Sequence, residues 1–293
     1  DQLLDQELTA TAFKAHPYRH PTIGWLPDLQ TMTRDDLYGY YRRFYVPNNA
    51  TLVIVGDIET EAALRRVEHY FGGIAPGSTI ERMRTVEPEQ TGERRLTIRQ
   101  EGTTAYLKIG YHAPSAGDAR FFPLLVLDAV LAGAKGLNLW SSFRTPPPQR
   151  SARLYRALVE RGLASAVSGS LMPTEDPFLY TLSATATDGI SLASLESALL
   201  EVLSDVERGG ITEAELVKAK AQLRAQMVFD NDSVTNIAHQ LGYYATIASV
   251  EFFTTAAERI AVVTLEQVAD AARKTLAASN RTVGWFEPTD VHP

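Results

Sequence analysis

One helix–turn–strand unit occurs twice in this chain, and the spacing between its copies constrains the fold more than any other feature. A shift of 231 positions lays Thr33 on Thr264, Asp35 on Glu266, Leu37 on Val268, Arg42 on Arg273, Arg43 on Lys274, Asn49 on Asn280 and Thr51 on Thr282. Each copy opens on a threonine able to cap a helix and ends that helix in two basic residues suited to its dipole. Each then turns through Asn-x-Thr into an apolar strand. Coincidence between two ordinary units is the competing reading; a duplicated domain, each copy closing the same way, is the stronger one. The second copy lies at the end of roughly 190 residues that follow a linker, whereas only about 50 precede the matching strand at Thr51. The first domain is therefore expected to lack its front half. Residues 1–12 support that expectation, because Leu3, Leu4, Leu8 and Ala12 read as an amphipathic helix already under way at the first residue.

Other elements follow from periodicity. After the capped helix from Thr33, Thr51–Val55 reads as a short apolar strand, and Leu64, Val67 and Phe71 mark another helix closed by Gly72-Gly73. From there to Arg94 the hydrophobic pattern disappears among Gly, Pro, Glu and Arg, as in a linker. Strands are predicted near 96–100, 105–112, 164–171, 178–187 and 282–286. Helices are predicted near 119–131, 153–161, 192–208, 213–229, 239–257 and 264–277. Gly133 to Arg150, with its run Pro146-Pro147-Pro148, is a long irregular connection of the kind that is functional or disordered.

Chemistry is sparse. With no cysteine, disulfides, thiolate metal sites and a thiol nucleophile are excluded. A formal charge of −7 argues against nucleic acid as the main partner. No apolar run is long enough to span a bilayer as a helix. Zinc hydrolases need two histidines on one helical face plus a carboxylate. The only Glu-His pair, Glu68-His69, has Arg65 where an inverted motif needs histidine, and His16 and His20 each precede a proline that keeps them off a shared helix. Phosphate-loop, dinucleotide and nucleophile-elbow motifs are missing from the sequence. Acidic residues such as Asp35-Asp36 and Glu213/Glu215 sit where helix caps need them.

The stretches His16-Pro17-Tyr18-Arg19-His20-Pro21-Thr22-Ile23-Gly24 and Tyr45-Val46-Pro47-Asn48-Asn49-Ala50-Thr51-Leu52-Val53-Ile54-Val55-Gly56-Asp57, with Arg153–Ala164 and Gly210–Leu216 further on, resemble the pitrilysin-like (inverzincin) zinc metallopeptidases. The likeness is to the bacterial branch related to the mitochondrial processing peptidase, and it covers essentially the whole chain. The resemblance implies an α+β fold of antiparallel sheets with helices packed on them, in two homologous domains. Residues 1–73 would be the C-terminal half of the first, zinc-type domain, 74–94 a linker, and 95–293 a complete second domain. It also implies that the zinc ligands of the H-x-x-E-H motif, and the glutamate that activates the zinc-bound water, lie before the segment matching this chain.

On this reading the parent is a zinc-dependent endopeptidase that cleaves peptides or unfolded proteins in a closed chamber, paired with a second homologous half or subunit. This chain alone is expected to be inactive, with no catalytic residue and no zinc of its own. The family's accessory half carries an Arg and a Tyr seven residues apart that bind substrate. Leu158 and Ser165 stand at those places here, which favours the zinc-carrying half. Two other readings stay open, a non-catalytic partner subunit that binds substrate or gates the chamber, and a structural core-type subunit of an assembly. The compartment, bacterial periplasm or cytoplasm, is not fixed. The substrate-chamber candidates are Gly133, Gly136, Trp140 and Phe143, where glycines permit close backbone approach and the rings offer apolar contact.

Overall fold

The computed structural model describes residues 2–139 and 149–289. Its centre is one five-stranded sheet formed by β1 (Arg94–Glu101), β2 (Tyr106–Ala113), β3 (Ala164–Leu171), β4 (Phe178–Ala186) and β5 (Arg281–Thr289), in the order β1-β5-β2-β4-β3. Three pairings are antiparallel, while the outer β1 runs parallel to β5. Alternation along β4 explains how it sits. Tyr180, Leu182, Ala184 and Ala186 are buried in the main core, whereas Thr181, Ser183 and Thr185 point to the other face.

Helices cover one face of this sheet. Against it lies α5 (Phe121–Leu131), whose every residue is buried, as expected of a helix apolar on all sides. Around α5 pack α7 (Glu213–Asp230), α10 (Ala256–Ala261) and α11 (Leu265–Thr275), while α6 (Leu192–Glu207) packs against α11, β2 and β4. Between α7 and α10 run α8 (Val234–Ile247) and α9 (Val250–Thr254), so the single helical stretch expected over 239–257 is broken at Ala248–Ser249 and at Thr255.

The opposite face carries α1 (Gln2–Ala12), which lies across β1, β5 and β2. Two glycines make this approach possible: a Cβ on Gly110 would meet Leu8 at 3.2 Å, and one on Gly284 would meet Leu4 at 2.9 Å. Lys108 reaches Asp5 at 2.8 Å, and the last carbonyls of α1 accept hydrogen bonds from Arg94 and from His112 Nε2. Cationic and ring donors placed there satisfy the orphan acceptors of a helix end.

Helices α2 (Leu26–Thr31), α3 (Arg34–Phe44) and α4 (Thr60–Phe71) bury no residue at all. Yet α3 repeats α11 in detail. Thr33 and Asp36 form a capping box, as do Thr264 and Gln267. Single 3₁₀ turns follow at Pro47–Asn49 and Ala278–Asn280. The side-chain amide of Asn49 donates to Phe44 O at 2.9 Å, and that of Asn280 to Thr275 O at 2.8 Å, the same two positions under the 231-residue shift.

The copies part company at the strand. β5 is laddered on both sides, whereas Thr51–Val55 enters no sheet among the described residues. An isolated strand has no partner for its backbone groups, so an apolar run is not enough to make it regular structure.

Candidate functional site

The connection after α5 is held by close packing at its start. Gly133 has φ +95, a conformation that favours glycine, and a Cβ there would run into Gln149. A Cβ on Gly136 would fall inside the buried carboxylate of Asp230, at the end of α7. Lys135 pairs with Asp128 of α5 at 3.1 Å, and Asp128 accepts a further hydrogen bond from Tyr180 at 3.0 Å. Burial, reinforced by the neighbouring Asp128 charge, raises the Tyr180 phenol well above its ordinary value, so it stays protonated and donating. Tyr244 of α8 donates to Leu137 O at 2.7 Å, and Asn138 is fully buried. Gly133 and Gly136 are thus brought together with α5, α7 and α8 as the fixed stem of the connection. Trp140 and Phe143 lie outside the described residues.

That stem adjoins an edge of the sheet. A Cβ on Gly169 of β3 would collide with Asp128, so Gly169 faces α5 and its neighbours Ser168 and Ser170 face away, exposed. β3 pairs with β4 alone and contains no charged residue or proline. The other edge strand, β1, carries Arg94, Arg95 and Arg99, which discourage added strands. An uncharged open edge beside a Ser- and Thr-lined face can accept backbone hydrogen bonds from an extended peptide. Leu158 is buried in the core, and Ser165 is exposed with its hydroxyl 3.4 Å from Thr185 O.

Sequence reasoning missed the linker's attachment. Glu87 accepts backbone N–H bonds from Lys14 (2.6 Å), Ala15 (2.8 Å) and His16 (2.8 Å). Burial opposes its ionisation, but the three N–H donors outweigh that effect and hold the carboxyl below its usual value. Beneath this strap is a cavity of about 230 Å³, lined by His16, Glu87, Gln90, His112, Asp176 and Asn280. His16 is buried there. Its Nδ1 accepts from Tyr18 N–H at 3.1 Å, which leaves the proton on Nε2, directed at Asp176 Oδ2 3.4 Å away. Burial lowers the pKa of His112. No group of three His, Cys, Asp or Glu side chains able to hold a metal occurs among the described residues. No signal within the linker pointed to Glu87, because its partners lie more than 70 positions away.

The sequence profile of the peptidase M16 inactive domain matches residues 31–223. The zinc protease PqqE of Helicobacter pylori is 23% identical over 248 residues, which is 83% of this chain and 52% of that protein. A Mycobacterium tuberculosis protein, named as an uncharacterized zinc protease, is 28% identical over 288 residues, 94% of this chain and 60% of its own length. The chain thus spans little more than half of these relatives. The crystal structure of a protease from Helicobacter pylori superposes with a TM-score of 0.87 at 21% identity, covering 98% of this chain and 67% of that one, which establishes the shared fold.

Proposed function

Because the chain belongs to the peptidase M16 inactive-domain family, we propose that it is the non-catalytic portion of a zinc metalloendopeptidase acting on peptides or unfolded proteins. Residues 95–293 form the complete inactive domain, 74–94 the linker, and 1–73 the closing half of a zinc-type domain whose front half supplies the metal site. Helix α1, although within 1–73, rests on the inactive domain's sheet, and Phe13 and Tyr18 after it pack against Phe178 of β4.

One observation carries this reading. Val268, Ala271, Ala272 and Leu276, on and just after α11, are buried against the sheet and its helices. Their counterparts Leu37, Tyr40, Tyr41 and Tyr45 are 59%, 59%, 53% and 70% exposed. A face of four large apolar side chains in a locally identical unit is built to be covered, and its counterpart is covered by a sheet and a helical layer.

The described residues of this chain do not fit a zinc site, since no three potential ligands converge, so no step of hydrolysis is assigned to them. Their role is to shape the chamber that holds an extended peptide. The open edge of β3 with Ser168 and Ser170 offers backbone pairing beside the stem at Gly133 and Gly136, and Trp140 and Phe143, which follow that stem in sequence, are further candidate contacts. A second homologous half closes the chamber. Among the described residues, no helix is long and apolar enough to cross a membrane.

The test is an assay of the purified 293-residue chain with a quenched fluorogenic peptide and added zinc. No turnover is expected. Cleavage abolished by a chelator would refute the assignment of this chain as non-catalytic.

A further inference from the structure

A second concavity, on the segment that leads into β3, is built from arginine. The segment after Arg153 was expected to continue as an ordinary helix, but Tyr155–Val159 is a π-helix. Glu160 N–H donates to Tyr155 O at 3.1 Å, and Leu163 N–H closes the same five-residue span onto Leu158 O at 2.8 Å. In an α-helix of about 3.6 residues per turn, positions five apart point about 140° away from each other. Widened turns of this kind recur at functional sites, and here Arg156 lies within the π-helix while Arg161 lies in the turn that follows it. Arg156 and Arg161 are five apart, and both line one solvent-facing cavity of about 520 Å³. Arg208, just past the end of α6, lines it too, anchored by a 2.9 Å bond to Ser204 Oγ.

The floor of this cavity is rigid and already neutralised. Arg153 pairs with Glu215 through Nε at 2.6 Å and Nη2 at 2.7 Å, reaches Asp205 at 2.7 Å, and donates to Gly210 O. Those contacts engage two of the three carboxylates of the lining, leaving Glu201 against three guanidiniums. The side chains of Arg156 and Arg161 form no ion pair or hydrogen bond among the described residues. On a chain of net charge −7, three available guanidiniums around one depression are a marked local reversal of sign.

We propose that this concavity binds a multiply charged phosphate anion, gripped by Arg156, Arg161 and Arg208. A phosphate presents several oxygens in a tetrahedral array and can accept from three guanidinium forks at once, whereas a carboxylate offers two oxygens in one plane. The depression is large enough for a pyrophosphate or for the phosphate end of a phosphorylated small molecule.

The test is calorimetric titration of the chain with sodium pyrophosphate at fixed ionic strength, with phenyl phosphate and succinate titrated in parallel. Saturable one-to-one binding of pyrophosphate is expected, weakened at least about tenfold in the double variant R156Q/R161Q and unchanged in R34Q, a surface control. Should the double variant disturb the π-helix, as read from its thermal melt, R208Q removes a donor from outside that turn and should weaken binding severalfold. Phenyl phosphate binding more tightly than pyrophosphate would assign the site to a phosphorylated organic ligand rather than to free phosphate. Absence of saturable binding at millimolar pyrophosphate, equal affinity in R156Q/R161Q and R208Q, or succinate binding as tightly as pyrophosphate would overturn the proposal.

Discussion

Replacing Glu87 by glutamine should release the linker strap without unfolding the sheet. The carboxylate receives Lys14 N–H on one oxygen and Ala15 and His16 N–H on the other. Glutamine keeps one acceptor oxygen but turns an NH₂ group toward at least one backbone donor, and it removes the charge. Hydrogen bonds to a charged group contribute about 1.5–3 kcal/mol each when sheltered. Glu87 is only half-buried, and water takes up part of any loss, so a local cost of about 1–2 kcal/mol follows for the three together. That corresponds to roughly a 5- to 30-fold change in the local opening equilibrium. Native-state hydrogen exchange at the amides of residues 14–16 measures it directly, and faster tryptic cleavage at Arg82 and Arg84 reports the same release from the linker side. Protonation should mimic the substitution. The folded carboxyl is held below its ordinary value of 4.5, so the strap's contribution is fully present above that value and is lost as pH falls through the lower folded value. Unchanged protection at residues 14–16 in the variant, or protection that improves on acidification after correction for intrinsic exchange, would refute the reasoning.

Two further substitutions probe the repeat and the connection after α5. Asn280→Ala removes donors to His112 O and Thr275 O and should cost about 1–3 kcal/mol in denaturant unfolding, whereas Asn49→Ala removes one exposed bond and should cost about 0.5 kcal/mol or less. Equal costs would mean that the two turns carry the same load despite their different surroundings. Gly136→Ala places a methyl group inside the buried Asp230 carboxylate and should lower stability by about 1–3 kcal/mol, seen as a drop of several degrees in Tm; an unchanged melt would show that the stem yields freely.

Much of the fold was legible because it is written in short-range pattern. All five strands of the sheet stand near the ranges predicted for them, β3 and β4 from alternation, and the capping boxes at Thr33, Thr212 and Thr264 stand where the threonines and their partners three residues later place them. What escaped depends on distance or on backbone hydrogen bonding that side-chain spacing does not encode. Apolar residues at Leu154 and Leu158 suit an α-turn and a π-turn equally, so the π-helix that carries Arg156 had no signature. Glu87 lies in a stretch without periodicity, and its partners are fixed only once α1 has settled on the sheet through Gly110 and Gly284. The candidate site was half legible for the same reason. Glycines at 133 and 136 signalled close backbone approach, but that the approaching groups are Gln149 and Asp230 is a tertiary fact.

The two copies of the repeated unit separate these levels of encoding. Capping box, basic helix end, 3₁₀ turn and asparagine bond form alike in a copy whose apolar face is buried and in one whose face is open. Those features therefore need nothing beyond their own two dozen residues. The strand that follows does not share this autonomy. Thr282–Phe286 is regular because β1 and β2 supply partners on both sides, while Thr51–Val55, also apolar, enters no ladder among the described residues. A helix satisfies its hydrogen bonds within itself and a strand cannot. On the function proposed above, the exposed copy would be a preformed half of an interface, its helix and turn already set and its strand without neighbours among the described residues. Pairing on both sides by analogy with β5, one neighbour parallel and one antiparallel, would bury the face of Leu37, Tyr40, Tyr41 and Tyr45 in the same step.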